Sequence, residues 1–338
     1  MFIEKIKNLN WNQILKEFES ASDEGDFFNK FTKKYTNPLL SESTYESKET
    51  EIYFRLEITK YLLKKVSACN KEKYKKMHKG TPFYFLSMFY FLTKHYEKAS
   101  FYLNATILED RKNAADIWEK YAAYLMFTLN TEFELQLGEE DFFVKSLKNK
   151  LIQELKEFNK NWDLNFNSFI QNFVENILAE SENFLAKSSI ITAIYSFILE
   201  KEEIEILIET RGEIGGSIEP IILHLFKGTL IVESLLKLHY DGKTLGKIYN
   251  DSKFKSKYNL YDMKISASSL NELLDLKLKN KLKLSFTVAG KIRNTTAHKL
   301  AWDDIFDDIK NYNFLYNNIM NAIFHVIYTE YVKFKKSH

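Results

Sequence analysis

Cysteine is almost absent from this sequence: Cys69 is the only one among 338 residues. A single thiol cannot form an intramolecular disulfide, and it cannot supply the cysteines of a structural zinc site. The fold therefore has to be stabilised by a hydrophobic core rather than by covalent or metal cross-links. Hydrophobic residues make up 45% of the chain, which is long enough for two domains.

Glycine and proline are also scarce, with 10 and 3 residues. Because these residues end helices and form turns, their scarcity predicts long helices joined by short connections. The longest apolar run extends from Pro82 to Leu92, which is too short to cross a bilayer and includes Ser87. Charges such as Glu4 and Lys5 occupy the region where a signal peptide is apolar. We therefore expect a cytoplasmic protein without a membrane segment.

Aromatic residues are abundant, with 28 Phe and 20 Tyr, which suits the seams between packed helices. Apolar residues recur at the spacing of amphipathic helices. Examples are Leu147, Leu151 and Leu155, and later in the chain Leu315, Ile319 and Ile323. These patterns predict an all-α fold.

Residues 80–113 predict a helical hairpin. Gly80, Thr81 and Pro82 are typical of a helix start, with Thr81 at the N-cap. The segment that follows resembles one tetratricopeptide repeat, in which small residues at Ser87 and Ala99 let two helices approach closely. The resemblance implies a surface that binds a protein partner. The family's usual glycine and terminal proline are missing, so an ordinary helical hairpin remains the alternative.

A cluster of glycines at 212, 215 and 216 indicates a junction between two domains. We predict a helical, tetratricopeptide-like regulatory or partner-binding domain over residues 1–212 and a second domain over 213–338. The second domain begins with the segment from Pro220 to Tyr240, which is apolar around most of its circumference. Such a helix is expected at the centre of its domain.

Residues 293–298 of the second domain combine side chains that can cleave RNA. The segment contains Arg293, Asn294 and His298. Histidine takes and gives a proton near neutral pH, and arginine binds a phosphate through a planar, permanently charged group. In a helix Asn294 and His298 share a face, so the amide can fix the tautomer of the imidazole. Arg293 and His298 lie about 140° apart round the same helix, and a second copy of the motif is one way to complete the site.

This segment resembles the Arg-x(4–6)-His motif of HEPN domains, a family of all-helical ribonucleases. Asn294 matches the polar residue that follows the arginine in that motif. The resemblance implies a C-terminal helical bundle that cleaves single-stranded RNA without a metal, in an active site formed at a homodimer interface. It also implies a defence or toxin setting, because the family occurs in such systems. An Arg and a His in an ordinary surface turn are the alternative.

Glu233 and several lysines are further candidates for this site. The resemblance gives Glu233 the role of orienting Arg293, because many HEPN proteins carry an acidic residue on this early helix that points at the motif. A carboxylate on an apolar face must in any case find a partner or become neutral. An exposed or locally paired glutamate is the alternative. The candidate RNA-binding residues are Lys281, Lys283, Lys291 and Lys299.

Neither a metal nor a cofactor is expected. His224 and His239 have no third ligand at metal-binding spacing. Acidic residues follow the motif at Asp303, Asp304, Asp307 and Asp308. They suit the start of the final helix better than a two-metal nuclease.

The sequence thus predicts an endoribonuclease in which Arg293 holds the scissile phosphate and His298 is the general acid and base. The RNA 2′-hydroxyl would attack its own phosphate and leave a 2′,3′-cyclic phosphate. The N-terminal domain would bind a protein partner or an activator. The alternative is a non-catalytic dimeric helical scaffold that binds a protein partner.

Overall fold

The computed structural model of the protein describes residues 2–22, 24–41, 48–113, 117–130, 143–159, 162–211, 218–240, 243–261, 270–275, 280–296 and 308–333. Every regular element in these ranges is helical, which confirms the prediction of an all-α fold. The chain forms two compact units, Met1–Lys145 and Ser146–His338. We call them the N-terminal unit and the C-terminal unit.

The two units divide at a different place from the predicted domains. Residues 146–211, assigned from the sequence to the N-terminal domain, group with the C-terminal unit. The reason is packing, since His224 Nε2 lies 2.9 Å from the backbone oxygen of Phe197 and joins the helices on either side of the predicted junction. The glycine-containing residues 212–217 lie outside the described ranges.

In its described residues, the N-terminal unit contains three helices longer than ten residues, together with several shorter ones. Its α-helices are α1 (Phe2–Lys7), α2 (Trp11–Ser20), α3 (Glu24–Phe31), α4 (Asn37–Ser41), α5 (Lys48–Cys69), α6 (Lys71–Lys76), α7 (Gly80–Leu92), α8 (Tyr96–Asn113) and α9 (Ala122–Phe127). A π-helical turn, Thr32–Thr36, links α3 to α4, and a 3₁₀ turn, Trp118–Lys120, precedes α9.

Helices α7 and α8 form the predicted hairpin. Ser87 and Ala99 are fully buried between them, and Ser87 Oγ donates a hydrogen bond to the backbone oxygen of Ala99 (3.0 Å). These small residues therefore allow the close approach that the sequence indicated. The N-cap is Lys79 rather than Thr81, because the Glu109 carboxylate on α8 accepts a hydrogen bond from the Lys79 backbone N–H (3.2 Å) and orders the turn before the helix.

The C-terminal unit contains the longest helices of the chain. Its α-helices are α10 (Phe143–Asn159), which begins at the division between the units, α11 (Phe166–Phe169), α12 (Glu175–Ala179), α13 (Phe184–Arg211), α14 (Glu219–Lys237), α15 (Leu245–Asn250), α16 (Ser252–Tyr258), α17 (Leu270–Asp275), α18 (Lys281–Thr296) and α19 (Ile309–Ile327). The π-helical turn Ile170–Val174 joins α11 to α12, and another, Tyr328–Val332, continues α19.

Helix α14 lies at the centre of the C-terminal unit, as its apolar circumference predicted. It packs against α13, α18 and α19. A Cβ atom on Gly228 would lie 2.5 Å from Phe197 Cζ on α13 and 2.7 Å from Ile319 Cγ2 on α19. Glycine at this position therefore lets α14 approach both neighbours, and the close packing of these helices positions the side chains described next.

Candidate functional site

Arg293 lies in the last turn of α18. The side chain of Asn280 caps the start of this helix and accepts a hydrogen bond from the Lys283 backbone N–H (3.0 Å). Phe286 and Ala289 on its inner face are fully buried. Arg293 lies two turns after Phe286 and one turn after Ala289, on the same side of the helix. Its side chain is 29% exposed.

The buried carboxylate of Glu233 contacts Arg293 across the packed helices. Glu233 Oε2 accepts a hydrogen bond from Arg293 Nε (2.9 Å), and Oε1 lies 3.5 Å from Arg293 Nη2. Lys237 Nζ, one turn further along α14, lies 2.8 Å from Oε1. Only 4% of the Glu233 side chain is exposed. Two cations thus share one buried carboxylate.

Glu233 is held in its charged form by these two partners. Burial is the largest single influence on its pKa and acts to raise it, but the hydrogen bonds from Arg293 and Lys237 together outweigh burial. The pKa of Glu233 is therefore below its usual range, and the carboxylate is ionised at neutral pH. The three side chains carry a net charge of about +1, which favours an anion beside them.

The pairing with Glu233 leaves part of the Arg293 guanidinium free. Of the five N–H donors of an arginine, Glu233 engages one on Nε and one on Nη2. The remaining donors have no partner among the described residues. Because the side chain is partly exposed, these donors are accessible to a phosphate, and the ion pair fixes the plane of the guanidinium.

Three of the four candidate lysines are spread along α18 rather than gathered at Arg293. Lys281 and Lys283 are in its first turn, about 15 to 18 Å from Arg293 along the helix axis. Lys291 is close in sequence but about 200° round the helix from Arg293.

The remaining predicted site residues are Asn294, His298 and Lys299. Asn294 is exposed on α18 beside Arg293. Residues 297–300, which include His298 and Lys299, are outside the described residues. The helical relation expected between Asn294 and His298 therefore stays a prediction.

Two neighbours of Glu233 were missed from the sequence. Lys237 follows Glu233 by four residues on α14, a spacing that could have indicated the ion pair. Tyr249 on α15 is fully enclosed; burial raises the pKa of its hydroxyl far above the usual value, and the charge of Glu233 adds to the effect. No hydrogen-bond partner of the Tyr249 hydroxyl is found in the described part of the chain.

The histidines and acidic residues that the structure describes show no arrangement for a metal. His224 is a core residue whose Nε2 contacts the Phe197 backbone and whose Nδ1 contacts the Tyr312 hydroxyl (3.1 Å). Asp308 is the N-cap of α19, just before the helix rather than inside its first turn. Asp303, Asp304 and Asp307 lie outside the described residues. Within the described ranges no group of three or more potential ligands is suited to a metal ion.

Comparisons of this chain with protein-family models, curated proteins and solved structures find no match. In the ranges that the structure describes, no helix combines the length and the apolar character needed to cross a bilayer.

Proposed function

We propose that the protein is a metal-independent endoribonuclease that cleaves single-stranded RNA at a site containing Arg293 and His298. The observation that carries this proposal is the Glu233–Arg293–Lys237 cluster. It combines a buried, ionised carboxylate with a partly exposed guanidinium that keeps donors for a phosphate. Such a group neutralises charge that develops on phosphate oxygens during the reaction.

In the proposed reaction the RNA supplies its own nucleophile. His298 removes the proton of the 2′-hydroxyl, the 2′-oxygen forms a bond to the adjacent phosphorus, and the bond from phosphorus to the 5′-oxygen breaks. As this bond breaks, a second histidine gives a proton to the departing 5′-oxygen. The products are a 2′,3′-cyclic phosphate and a 5′-hydroxyl. Glu233 orients Arg293 on the phosphate, and Asn294 orients His298.

We further propose that the active enzyme is a homodimer formed through the C-terminal region. One histidine cannot act as base and acid in the same step, whereas two copies of the motif supply both.

The proposed RNA contacts extend beyond Arg293. Lys237 adds positive charge at the phosphate, while Lys281, Lys283, Lys291 and Lys299 extend the contact with the RNA backbone. The α7–α8 hairpin makes the N-terminal unit a candidate for binding a protein partner or an activator. The defence or toxin setting rests on the HEPN resemblance alone.

The same ion pair favours a second candidate function, a non-catalytic dimeric scaffold. A buried Glu233 that engages Arg293 also links α14 to α18. In a scaffold the Glu233–Arg293 pair serves only to link the two helices. The donors of Arg293 that do not contact Glu233 then hydrogen-bond only to water. The two candidates differ in whether Arg293 is needed for chemistry or only for stability.

The experiment that tests the reaction is cleavage of a DNA strand that contains a single ribonucleotide. The proposal predicts one cut, on the 3′ side of the ribonucleotide, with a 2′,3′-cyclic phosphate end, in the presence of EDTA. The all-DNA strand serves as control and should stay intact, because it lacks the 2′-hydroxyl. Cleavage of the all-DNA strand, or a strict requirement for magnesium, would contradict the mechanism.

A further inference from the structure

A polar cleft opens in the C-terminal unit, at the opposite end of α18 from Arg293. Its volume is about 350 Å³, within the range of small-molecule sites. The residues that bear on its chemistry are Trp162, His325, Asn317, Asn321, Glu157 and Lys281. They come from α10, the segment after it, α18 and α19, so the cleft exists only in the folded unit.

The imidazole of His325 forms the floor of this cleft. The residue is 5% exposed, and no hydrogen bond to its ring is found among the described residues. Burial lowers the pKa of His325 to about 4, so the ring is neutral near pH 7. A neutral imidazole carries one donor nitrogen and one acceptor nitrogen, which point to different sides of the ring. Because neither is engaged by the described part of the protein, a nitrogen that faces the cleft can form a hydrogen bond with a ligand.

The indole of Trp162 forms one side of the cleft and stays 37% exposed. Its centroid lies 4.5 Å from that of His325 in a T-shaped arrangement, and Phe158 packs against the same histidine at 5.0 Å. These contacts fix the imidazole plane. The indole also contacts Phe158 and Tyr328, and its exposed part can stack on a planar ring.

Two amides and a cation complete the polar lining. Asn317 and Asn321 are one turn apart on α19, and neither side chain has a hydrogen-bond partner in the described residues. Lys281 is exposed at the start of α18 and forms no ion pair within those ranges. Glu157 adds a carboxylate, which accepts hydrogen bonds from amino groups.

From this geometry we infer that the cleft between α10, α18 and α19 binds a nucleobase, with Trp162 stacking on the ring and His325 and the two asparagines hydrogen-bonding its edge. An exposed aromatic face combined with amide and imidazole groups is the chemistry by which proteins bind unpaired bases. Lys281 is placed to meet a phosphate attached to that base. A base with an exocyclic amino group is favoured, because that group can donate a hydrogen bond to the Glu157 carboxylate in the same cleft.

The base can belong to an RNA strand or to a free nucleotide. The RNA source rests on the proposed function: the cleft and Arg293 lie along the same helix, and Ser285 in the cleft is about 12 Å from Arg293 along its axis. A few nucleotides of single-stranded RNA span this distance. The cleft would then hold a base near the scissile phosphate and set the sequence preference.

Binding of the four nucleoside 5′-monophosphates to the full chain tests the inference directly, with inorganic phosphate as the reference for the phosphate alone. We expect saturable binding of at least one mononucleotide that contains an amino group, and no comparable binding of phosphate. His325→Phe keeps the packed ring but removes its nitrogens, and it should weaken binding at least tenfold. Asn317→Ala changes only an exposed side chain and should weaken binding several-fold. Phe101→Ala is the control, because it removes an exposed aromatic residue of the N-terminal unit.

Two further measurements distinguish the sources of the base. If the base belongs to RNA, the mononucleotide competes with RNA, and His325→Phe raises KM while kcat is unchanged. If the ligand is a free nucleotide, it binds equally well in the presence of saturating RNA. Failure of all four mononucleotides to bind, or affinity unchanged in both His325→Phe and Asn317→Ala, would overturn the inference. Binding without any RNA cleavage would uphold the inference and contradict only the proposed function.

Discussion

Arg293 on α18 and Glu233 on α14 are 60 residues apart in the chain, and their side chains meet at 2.9 Å. This pair is the point where the sequence motif and the packed core of the C-terminal unit join. Because Glu233 is buried between two cations, the orientation of Arg293 depends on the same helix packing that stabilises the unit. The ribonuclease proposal and the scaffold alternative both depend on this pair.

Removing the charge of Glu233 should strongly reduce ribonuclease activity and only moderately reduce the stability of the fold. Glu233→Gln keeps the size of the side chain but weakens its hold on Arg293, and we expect kcat/KM for RNA to fall roughly 10- to 100-fold. The free energy of unfolding should fall by about 1 to 3 kcal/mol. The matched control is Glu200→Gln, which removes the ion pair between Glu200 on α13 and Lys227 on α14. Equal activities in these two variants would argue for a purely structural Glu233.

Lys237 should contribute to RNA binding through charge alone. Lys237→Gln is expected to weaken binding and to lower the slope of log affinity against log salt concentration by about 0.7, the effect of one phosphate contact on a single strand. The Lys237 side chain is 45% exposed, so folding should be little affected. Lys64→Gln in the N-terminal unit makes the same change in net charge. A salt slope that changes equally in both variants would remove Lys237 from the site.

The close packing around α14 predicts opposite effects at two glycines. Gly228→Ala would press a methyl group against Phe197 and Ile319, and we expect a loss of roughly 1 to 3 kcal/mol in the free energy of unfolding. Gly246→Ala on α15 meets no atom within 4 Å. Because alanine favours helix, this control should be neutral or stabilising by up to about 1 kcal/mol. Urea unfolding of both variants measures the difference, and similar stabilities would show that α14 is not closely packed at Gly228.

Stability should decline in mild acid because of buried His325. Burial lowers its pKa from 6.5 to about 4, so below pH 6.5 the unfolded chain binds a proton that the folded protein does not. The contribution of neutral His325 to the free energy of unfolding is therefore fully present above pH 6.5 and is lost as the pH falls toward 4. We expect the free energy of unfolding to be roughly 2 to 3 kcal/mol lower at pH 4.5 than at pH 7.5 from this residue alone. His325→Phe should remove that part of the decline, and identical pH profiles for the two proteins would contradict it.

The sequence was most informative where a local pattern decides the structure. The apolar circumference of residues 220–240 predicted the central position of α14, and small Ser87 and Ala99 predicted the contact between α7 and α8. Both features depend on side-chain type at helical spacing, which can be read along the chain. The approach of Glu233 to Arg293 was suggested by the HEPN resemblance, and the structure adds the contact distances and Lys237.

Long-range packing accounts for what the sequence did not show. The cleft with Trp162 and His325 draws residues from separate segments, and no pattern along the chain brings them together. The compact units divide at Lys145, whereas the predicted junction was placed by glycine content, which does not report packing. The candidate lysines were grouped with Arg293 by their proximity in sequence, but the length of α18 separates Lys281 and Lys283 from it.

The most direct test of the central claim is cleavage of a labelled single-stranded RNA in EDTA by the wild type, Arg293→Ala, His298→Ala and Arg55→Ala. Arg55 is the matched control, because it pairs with Glu51 through Nε at 2.8 Å and its side chain is 30% exposed, close to the 29% of Arg293. A ribonuclease site at Arg293 and His298 predicts cleavage by the wild type and by Arg55→Ala, and at least 100-fold less by the other two variants although they remain folded. Undiminished cleavage by Arg293→Ala or His298→Ala, or no cleavage by the wild type as a purified dimer, would contradict it.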